Sequence, residues 1–419
     1  MSLRPDQNVH KFLISTPARF VGEYESENQL VTHAWIGLSR PSEKTVRSLQ
    51  PGPYSRSYYI LAFRTPAVES GTRTIVQPSE YRGVAEAFCS GLGVLFGKRI
   101  DLHGPTESDG RFHAPDFETV RPVEFSESGP YNHQPRCDLG IELNLAHSEK
   151  VAPLFTDETL NEHFKDIFFA AARFYRRSLQ VFDLEPDVAY LDLITCGEIL
   201  AEYFEYPDEV VYGQEILDML SQVREMPDGK RIASAFKGRM RQIKRRFTLM
   251  VVDMLNDYFF SNTEAVEGKG KLERSSSPHP GFTNRAITIE ERIEQAYNIR
   301  SSYVHSGCDF ARYVRPHPGY MNETQLGWYT PGGNGLDKSL AKALSLAPTY
   351  FGLERIMRYC LIRFLHLNGV HIDPRLDGPS TPPLPGSKAV AQTSSQPPGE
   401  SGAPMPNQAQ EPESPPDPR

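Results

Sequence analysis

Apolar residues recur with two different spacings along the chain, and the change falls near residue 150. Before it, short apolar runs such as HAWIGL and YYILAF are separated by clusters of Gly, Pro and Ser, a pattern typical of short strands. One stretch between these clusters, SEYRGVAEAFCSGLGVLFGKRI, instead places its apolar residues at helical spacing. The pattern therefore predicts a mixed α/β region over residues 1-150.

Helical spacing dominates the rest of the chain up to residue 373. The segments LNEHFKDIFFAAARFYRRSLQ and VAYLDLITCGEILAEYFEY are predicted to form a helical hairpin with its break at LEPD. Further helices are predicted over about 213–226, about 231–260 and 347–367. Residues 151-373 are therefore predicted to form an all-α bundle, which makes the fold class α+β.

The last part of the chain, residues 374-419, has a composition unlike the rest. It contains thirteen prolines and no aromatic residue. Such a segment buries too little apolar surface to offset the entropy lost on ordering. We therefore predict a disordered tail, and we expect its deletion to leave the melting temperature unchanged.

Charge and composition narrow the classes of function. The 419 residues suggest about two domains, and the net charge of −8 gives no overall attraction to nucleic acid. A local exception is the stretch from Lys230 to Arg246, which holds eight basic residues and no acidic one. This stretch is either an RNA-binding surface or the solvated face of a helix. The residues predicted to bind phosphates are Arg239, Arg241, Lys244, Arg245 and Arg246.

Several features favour a cytoplasmic protein without a metal centre. The chain has no run of eighteen apolar residues and its N-terminus does not resemble a secretory signal, so neither membrane insertion nor secretion is expected. The five cysteines stand singly, without a C-x-x-C pair. His103 and His113 have no third ligand at useful spacing, so we predict no metal site.

The segment AYNIRSSYVHSG, residues 296–307, carries the candidate chemistry. It closes a helix that is predicted to start with a capping box at Thr288 and to end at Gly307. Arg300 is predicted to lie on the same face as the apolar residues of this helix, Val304 included. A guanidinium placed there needs a partner, which is either a carboxylate, with Glu198 as the candidate, or a ligand phosphate.

An arginine followed five positions later by a histidine, at the end of a helix in an all-helical region, resembles the signature of the HEPN superfamily. The segment AYNIRSSYVHSG is even more similar to the Apea-like HEPN group. Two departures are visible: Ser306 delays the glycine by one residue, and Ser301 stands where many active members carry Asn, Asp or His. The resemblance covers residues 153–367 and implies a helical bundle.

The resemblance also implies a function. It predicts a metal-independent ribonuclease that acts as a homodimer without a cofactor, in which Arg300 binds phosphate and His305 transfers protons. Ser301, Tyr297 and Glu198 are the expected supporting residues. Such an enzyme would restrain the growth of the cell or defend it against phage, and a protein partner would neutralise or regulate it. The alternative is a catalytically silent dimeric module that binds RNA, a nucleotide or a protein through the same cleft.

Overall fold

The N-terminal region is a six-stranded antiparallel sheet packed on a helix, and helices follow it, so the prediction of an α+β fold is confirmed. None of the described helices is long and apolar enough to cross a membrane. The computed structural model describes residues 7–34, 56–66, 79–108, 110–114, 134–136, 138–239, 242–262, 282, 288–315, 322–325 and 337–377.

The sheet is built around its first strand. This strand pairs along its whole length with β4 on one side and, with two irregularities, with β5 on the other, in the strand order β2-β3-β4-β1-β5-β6. Because β1 is central, both of its faces are largely buried. The strands are β1 (Gln7–Thr16), β2 (Tyr24–Glu25), β3 (Gln29–His33), β4 (Ser57–Pro66), β5 (Asp101–Ser108) and β6 (Arg111–Phe112).

Of the described helices, α1 precedes β5 and the others follow the sheet. The predicted hairpin is formed by α3 and α4, which pack closely on each other. Short 3₁₀ helices occupy Leu145–Lys150 and Pro374–Asp377. The helices are α1 (Ser79–Phe96), α2 (Pro153–Thr156), α3 (Glu162–Val181), α4 (Pro186–Glu202), α5 (Asp208–Val211), α6 (Gln214–Arg224), α7 (Gly229–Arg239), α8 (Ile243–Met254), α9 (Asp257–Ser261), α10 (Ile289–Ser306), α11 (Ala311–Val314), α12 (Lys338–Leu346) and α13 (Tyr350–Leu367).

The buried core runs from the sheet into the bundle without interruption. Phe12 of β1, Phe88 of α1, Phe168 of α3 and Ile356 of α13 belong to one cluster of buried apolar residues. The helix α1 lies between the two regions and packs on both β5 and α3. The boundary predicted at residue 150 therefore does not coincide with a break in the core.

Two features of the helices differ from the prediction. The basic segment 231–260 is three helices, α7, α8 and α9, because Gln242 adopts a left-handed conformation (φ 47°) at the start of α8 and Asn256 caps the start of α9. The helix α12 was not predicted, although Asp337 caps it by accepting a hydrogen bond from the Leu340 amide. Both errors lie where a single residue ends or starts a helix.

The central helix α13 joins the two regions through buried ion pairs. Arg358 is fully buried; it donates 2.7 Å to Asp138 and also donates to the carbonyl oxygens of Val94 and Leu95. One turn earlier, Glu354 accepts two hydrogen bonds of 2.8 Å from Arg136. Buried charges are tolerated only when they are paired and hydrogen-bonded, so these pairs fix how α13 meets the N-terminal region.

The predicted start of the disordered tail at residue 374 is wrong. The side chain of Leu376 is completely buried in the core, and Arg375 donates 2.5 Å to the carbonyl oxygen of Leu139. Arg375 also lies over the ring of Tyr258. The prediction failed because it rested on the average composition of the segment, whereas one leucine and one arginine near its start are enough to dock it. Residues 378–419 lie outside the described part of the chain.

Deleting residues 374–419 is therefore expected to destabilise the protein, whereas deleting only 378–419 should not. Losing the buried Leu376 alone should lower the free energy of unfolding by about 2 kcal/mol. Thermal unfolding of chains that end at residue 373 and at residue 377 measures the difference. Equal melting temperatures for the two chains would mean that the docked segment contributes nothing.

Candidate functional site

The helix α10 carries the predicted site and has the ends that the sequence predicts. The hydroxyl of Thr288 accepts a hydrogen bond from the Glu291 amide at the start of the helix. At the other end, Gly307 adopts a left-handed conformation (φ 62°, ψ 25°), and its amide donates to the carbonyl oxygen of Tyr303. A glycine suits this position because it has no Cβ to oppose a positive φ. The motif therefore lies at the last turn of a well-capped helix.

The buried face of α10 agrees with the predicted face near Ile293 and Ala296 but not at Val304. Ile293, Ala296 and Ile299 are completely buried, whereas Val304 is 59% exposed. The buried arginine of this helix is Arg292, whose guanidinium donates 3.1 Å to the carbonyl oxygen of Leu346 at the end of α12. The predicted stripe was too long, because α10 leaves the bundle before its last turn.

Arg300 occupies the edge of the buried face and already has a protein partner. Its Nη2 lies 3.1 Å from Oε2 of Glu198, and its Nη1 lies 3.4 Å from the hydroxyl of Tyr297. Of its side chain, 29% remains exposed, against 15% for Glu198. Burial raises the pKa of Glu198, and the charge of Arg300 lowers it. The effect of burial is the larger one, so this pKa stays above its ordinary value. The carboxylate proposed from the sequence is therefore the observed partner.

His305 and Ser301 are placed differently from Arg300. His305 is exposed in the last turn of α10, next to the exposed Val304, and Ser301 is half-buried. His305 lies five positions after Arg300, which corresponds to about 140° of rotation around a helix. Within one copy of the chain, the two side chains therefore point in different directions.

A glycine that the sequence reasoning missed brings the helices of the site together. Gly197 of α4 precedes Glu198, and a Cβ at this position would lie 2.2 Å from the ring of Phe247 in α8. The missing side chain therefore lets α8 approach α4 closely beside Glu198. Phe247 in turn packs near the ring of Tyr297. The signal in the sequence was a glycine inside a strongly helical segment, which often marks a close contact between helices.

Two carboxylates lie where the chain leaves α10. Asp187, in the first turn of α4, accepts a 3.2 Å hydrogen bond from the Phe310 amide, and Asp309 accepts one from the Ala311 amide. Burial, and next the charge of Asp309, raise the pKa of Asp187 from 3.8 to about 6. The charge of Asp309 disfavours ionisation of Asp187, so ionisation of Asp187 opposes the docking of this segment on α4.

Asp187→Asn is expected to raise the stability above pH 6 but not at pH 4. A carboxyl whose folded pKa is raised favours folding fully below its ordinary value of 3.8, and this contribution is lost as the pH rises through about 6. Asparagine keeps an acceptor for the Phe310 amide but carries no charge. Melting temperatures of both proteins from pH 4 to pH 8 measure the effect, with Asp218→Asn on α6 as the control. A constant difference across this range would contradict the assignment to ionisation.

The predicted phosphate-binding residues are partly engaged inside the protein. Lys244 donates 3.1 Å to Oδ1 of Asn298 and Arg245 donates 2.5 Å to Glu290, so both reach α10. Arg246 donates to the carbonyl oxygen of Phe204. These contacts hold α8 in the bundle. Arg241 and the side chain of Arg239 lie outside the described residues.

The described residues contain no cluster of metal-binding side chains. Among them, no group of three or more His, Cys, Asp or Glu side chains is placed to hold a metal ion. Of the two histidines considered as a metal pair, His103 is buried and lies 2.7 Å from the hydroxyl of Ser15. Arg300 and Tyr297 of the motif form a polar cluster with Glu198 of α4.

Comparison of the chain with protein-family models, curated proteins and solved structures finds no match. The likeness of AYNIRSSYVHSG to Apea-like HEPN proteins stays a prediction. A function for this chain is therefore inferred from its own residues and their geometry.

Proposed function

We propose that the protein is a metal-independent endoribonuclease of the HEPN type that acts as a homodimer. The observation that carries the proposal is the position of Arg300. Glu198 and Tyr297 hold its guanidinium from one side, and 29% of the side chain remains exposed, on the same helix as the exposed His305. A guanidinium has five N–H donors, so the contacts to Glu198 and Tyr297 leave donors for a phosphate.

The chemistry follows from these two side chains. The ribose 2′-hydroxyl loses its proton to one imidazole, and its oxygen attacks the adjacent phosphorus atom. The bond from phosphorus to the 5′-oxygen breaks, and this oxygen takes a proton from a second imidazole. The products are a 2′,3′-cyclic phosphate and a free 5′-hydroxyl. Arginine stabilises the charge that develops on the phosphate, and imidazole suits the proton transfers because its ordinary pKa is about 6.5.

A second copy of the chain completes the site in this proposal. The pair on one α10 diverges by about 140°, so Arg300 of one copy and His305 of the other face a shared cleft when two such helices pack around a two-fold axis. The exposed Val304 beside His305 supplies an apolar contact for such packing. Two histidines in one cleft also provide both the base and the acid.

Glu198 and Tyr297 act as positioning residues in this mechanism. Arg300 has a long and flexible side chain. Holding its guanidinium in place before binding lowers the conformational entropy that is lost when it binds phosphate. The Arg300 guanidinium lies 5.3 Å from the ring centre of Tyr297, a distance at which the two attract each other. Ser301 follows Arg300 in the chain and supplies a hydroxyl near the cleft.

One observation favours a second candidate function, a catalytically silent dimeric module. Glu198 already neutralises Arg300, so the arginine does not require a phosphate to be stable in this position. A module of this kind would bind RNA, a nucleotide or a protein without cleaving it.

An active enzyme, by contrast, would restrain cell growth or phage infection and would need a neutralising or regulatory protein.

The chemistry of the products tests the proposal. Purified protein is incubated with mixed RNA in EDTA, and the new ends are analysed. We expect fragments with 2′,3′-cyclic phosphate and 5′-hydroxyl ends. RNA that is bound but stays intact would favour the silent module, and ends with a 5′-phosphate would contradict the mechanism.

A further inference from the structure

The helices α6 and α7 form a hairpin that stands apart from the main core. Each packs mainly on the other, and Leu220 and Ala233 are buried where they meet. Neither residue belongs to the main buried cluster. Three large apolar side chains of the hairpin are about half exposed: Met219 at 50%, Ile232 at 49% and Phe236 at 52%. The hairpin therefore has a small core of its own and an uncovered apolar surface.

These three side chains lie on one side of the hairpin. Met219 precedes the buried Leu220 by one residue, and Ile232 precedes the buried Ala233 by one residue. In two antiparallel helices, residues displaced in the same sense from the buried seam point to the same side. Phe236 is one helical turn from Ile232 and shares its face. The apolar side chains therefore form one continuous face along the seam.

The two helices of the hairpin differ in the charged residues that they carry. The sequence of α7 contains four basic residues and no acidic one, and Arg231 is exposed on its outer side, beyond Ile232. The exposed side of α6 instead carries Glu215 and Asp218. No described residue forms an ion pair with Arg231. The apolar face is thus bordered by Arg231 at the start of α7 and by Glu215 and Asp218 on α6, whose last turn also carries the exposed Arg224.

We propose that the α7 side of this hairpin binds single-stranded RNA. Phosphates would contact Arg231 on the outer side of α7 while the strand crosses the helix and its bases pack on Ile232 and Phe236, because single-strand binding combines cationic side chains with flat apolar surfaces for the bases. A flat anionic membrane fits less well, since it would bring Glu215 and Asp218 of α6 against lipid head groups of the same charge. A narrow strand follows α7 alone and avoids this repulsion.

This surface uses only the first part of the basic stretch from Lys230 to Arg246. Lys244, Arg245 and Arg246 contact acceptors within the bundle, whereas the exposed arginine lies earlier, on α7. The inference extends the proposed function, since it supplies a second contact for the same kind of substrate. It is testable without cleavage, because a strand with 2′-O-methyl groups binds but has no 2′-hydroxyl to react.

The experiment measures binding of a fluorescent 2′-O-methyl oligoribonucleotide to the full chain by anisotropy at several salt concentrations. Arg231→Gln is expected to weaken binding and to reduce the slope of log K against log salt by about 0.7, the value for one phosphate contact on a single strand. Phe236→Ala is expected to raise the Kd about tenfold without changing this slope, because it removes stacking but no charge.

The controls change one exposed arginine and one exposed apolar residue elsewhere on the surface. Arg173→Gln on α3 and Leu184→Ala, both at exposed positions, should leave affinity and slope as in the wild type. Equal melting temperatures show that every variant is folded.

The alternatives give different results. Absence of RNA binding, or binding that neither hairpin variant alters, would overturn the inference. Binding to phosphatidylserine vesicles that Phe236→Ala abolishes, without binding to RNA, would assign the face to a membrane instead. Binding to the modified strand with no cleavage of ordinary RNA would refute the proposed enzyme but leave the hairpin surface standing.

Discussion

Replacing His305 with alanine is expected to lower RNA cleavage by about 100-fold or more and to leave the fold intact. The loss follows from the removal of a positioned acid or base, which contributes on the order of 10²–10⁴-fold. The fold should persist because His305 is exposed in the last turn of α10. Cleavage rates beside thermal unfolding curves measure both effects. His163→Ala, at an exposed histidine on α3, is the matched control and should retain activity.

Arg300→Ala separates a phosphate-binding arginine from a purely structural one. For a phosphate-binding arginine we expect a similar loss of cleavage. The variant also leaves Glu198 without its guanidinium, but Glu198 is only half-buried and can be reached by water or a proton, so the loss of stability should be modest. Glu198→Gln should weaken substrate binding less than Arg300→Ala does. An unfolded Arg300→Ala protein beside a fully active His305→Ala protein would refute the enzyme.

Replacing Arg358 with alanine is expected to lower the free energy of unfolding by about 3–5 kcal/mol. The guanidinium is fully buried and satisfies Asp138 as well as two backbone carbonyl oxygens, so alanine leaves a cavity, a buried carboxylate and two acceptors without this donor. Denaturant unfolding of the variant measures the loss. Arg173→Ala, at an exposed arginine, is the control and should change stability by less than about 0.5 kcal/mol.

The double variant Arg358→Met with Asp138→Asn shows whether the loss comes from the stranded charge. Because both charges are removed together, it should be more stable than Arg358→Ala. Burial raises the pKa of Asp138, but the charges of Arg358 and then Arg136 outweigh it and hold this pKa well below its ordinary value. A depressed folded pKa means that Asp138 stabilises the wild type above about pH 4 and that this contribution is lost as the pH falls further. The double variant should lack this acid-dependent loss.

Local patterns in the sequence were enough to predict the class of fold and the ends of the motif helix. Thr288 and Gly307 act through contacts within a few residues, which a sequence displays directly. The neighbours of Arg300 were harder to predict, because the choice between a carboxylate and a phosphate depends on a residue about 100 positions away. The apolar segment around Glu198 made this carboxylate a candidate but could not place it beside Arg300.

Other features depend on contacts that no local pattern reveals. The burial of Leu376 requires a pocket assembled from distant parts of the chain, so composition alone assigned it to the tail. The exposure of Val304 depends on where neighbouring helices end. The engagement of Lys244 and Arg245 depends on the acceptors of α10. In each case the decisive partner is remote in sequence.

The ion pairs of α13 have a consequence for how the chain reaches its fold during synthesis. Arg136 and Asp138 leave the ribosome long before their partners, since 218 residues separate Arg136 from Glu354 and 220 separate Asp138 from Arg358. Contacts of such long range slow folding because a large loop must close before they form. The contacts between α13 and the N-terminal region therefore form late, and a fragment that stops before α13 exposes apolar surface that promotes aggregation.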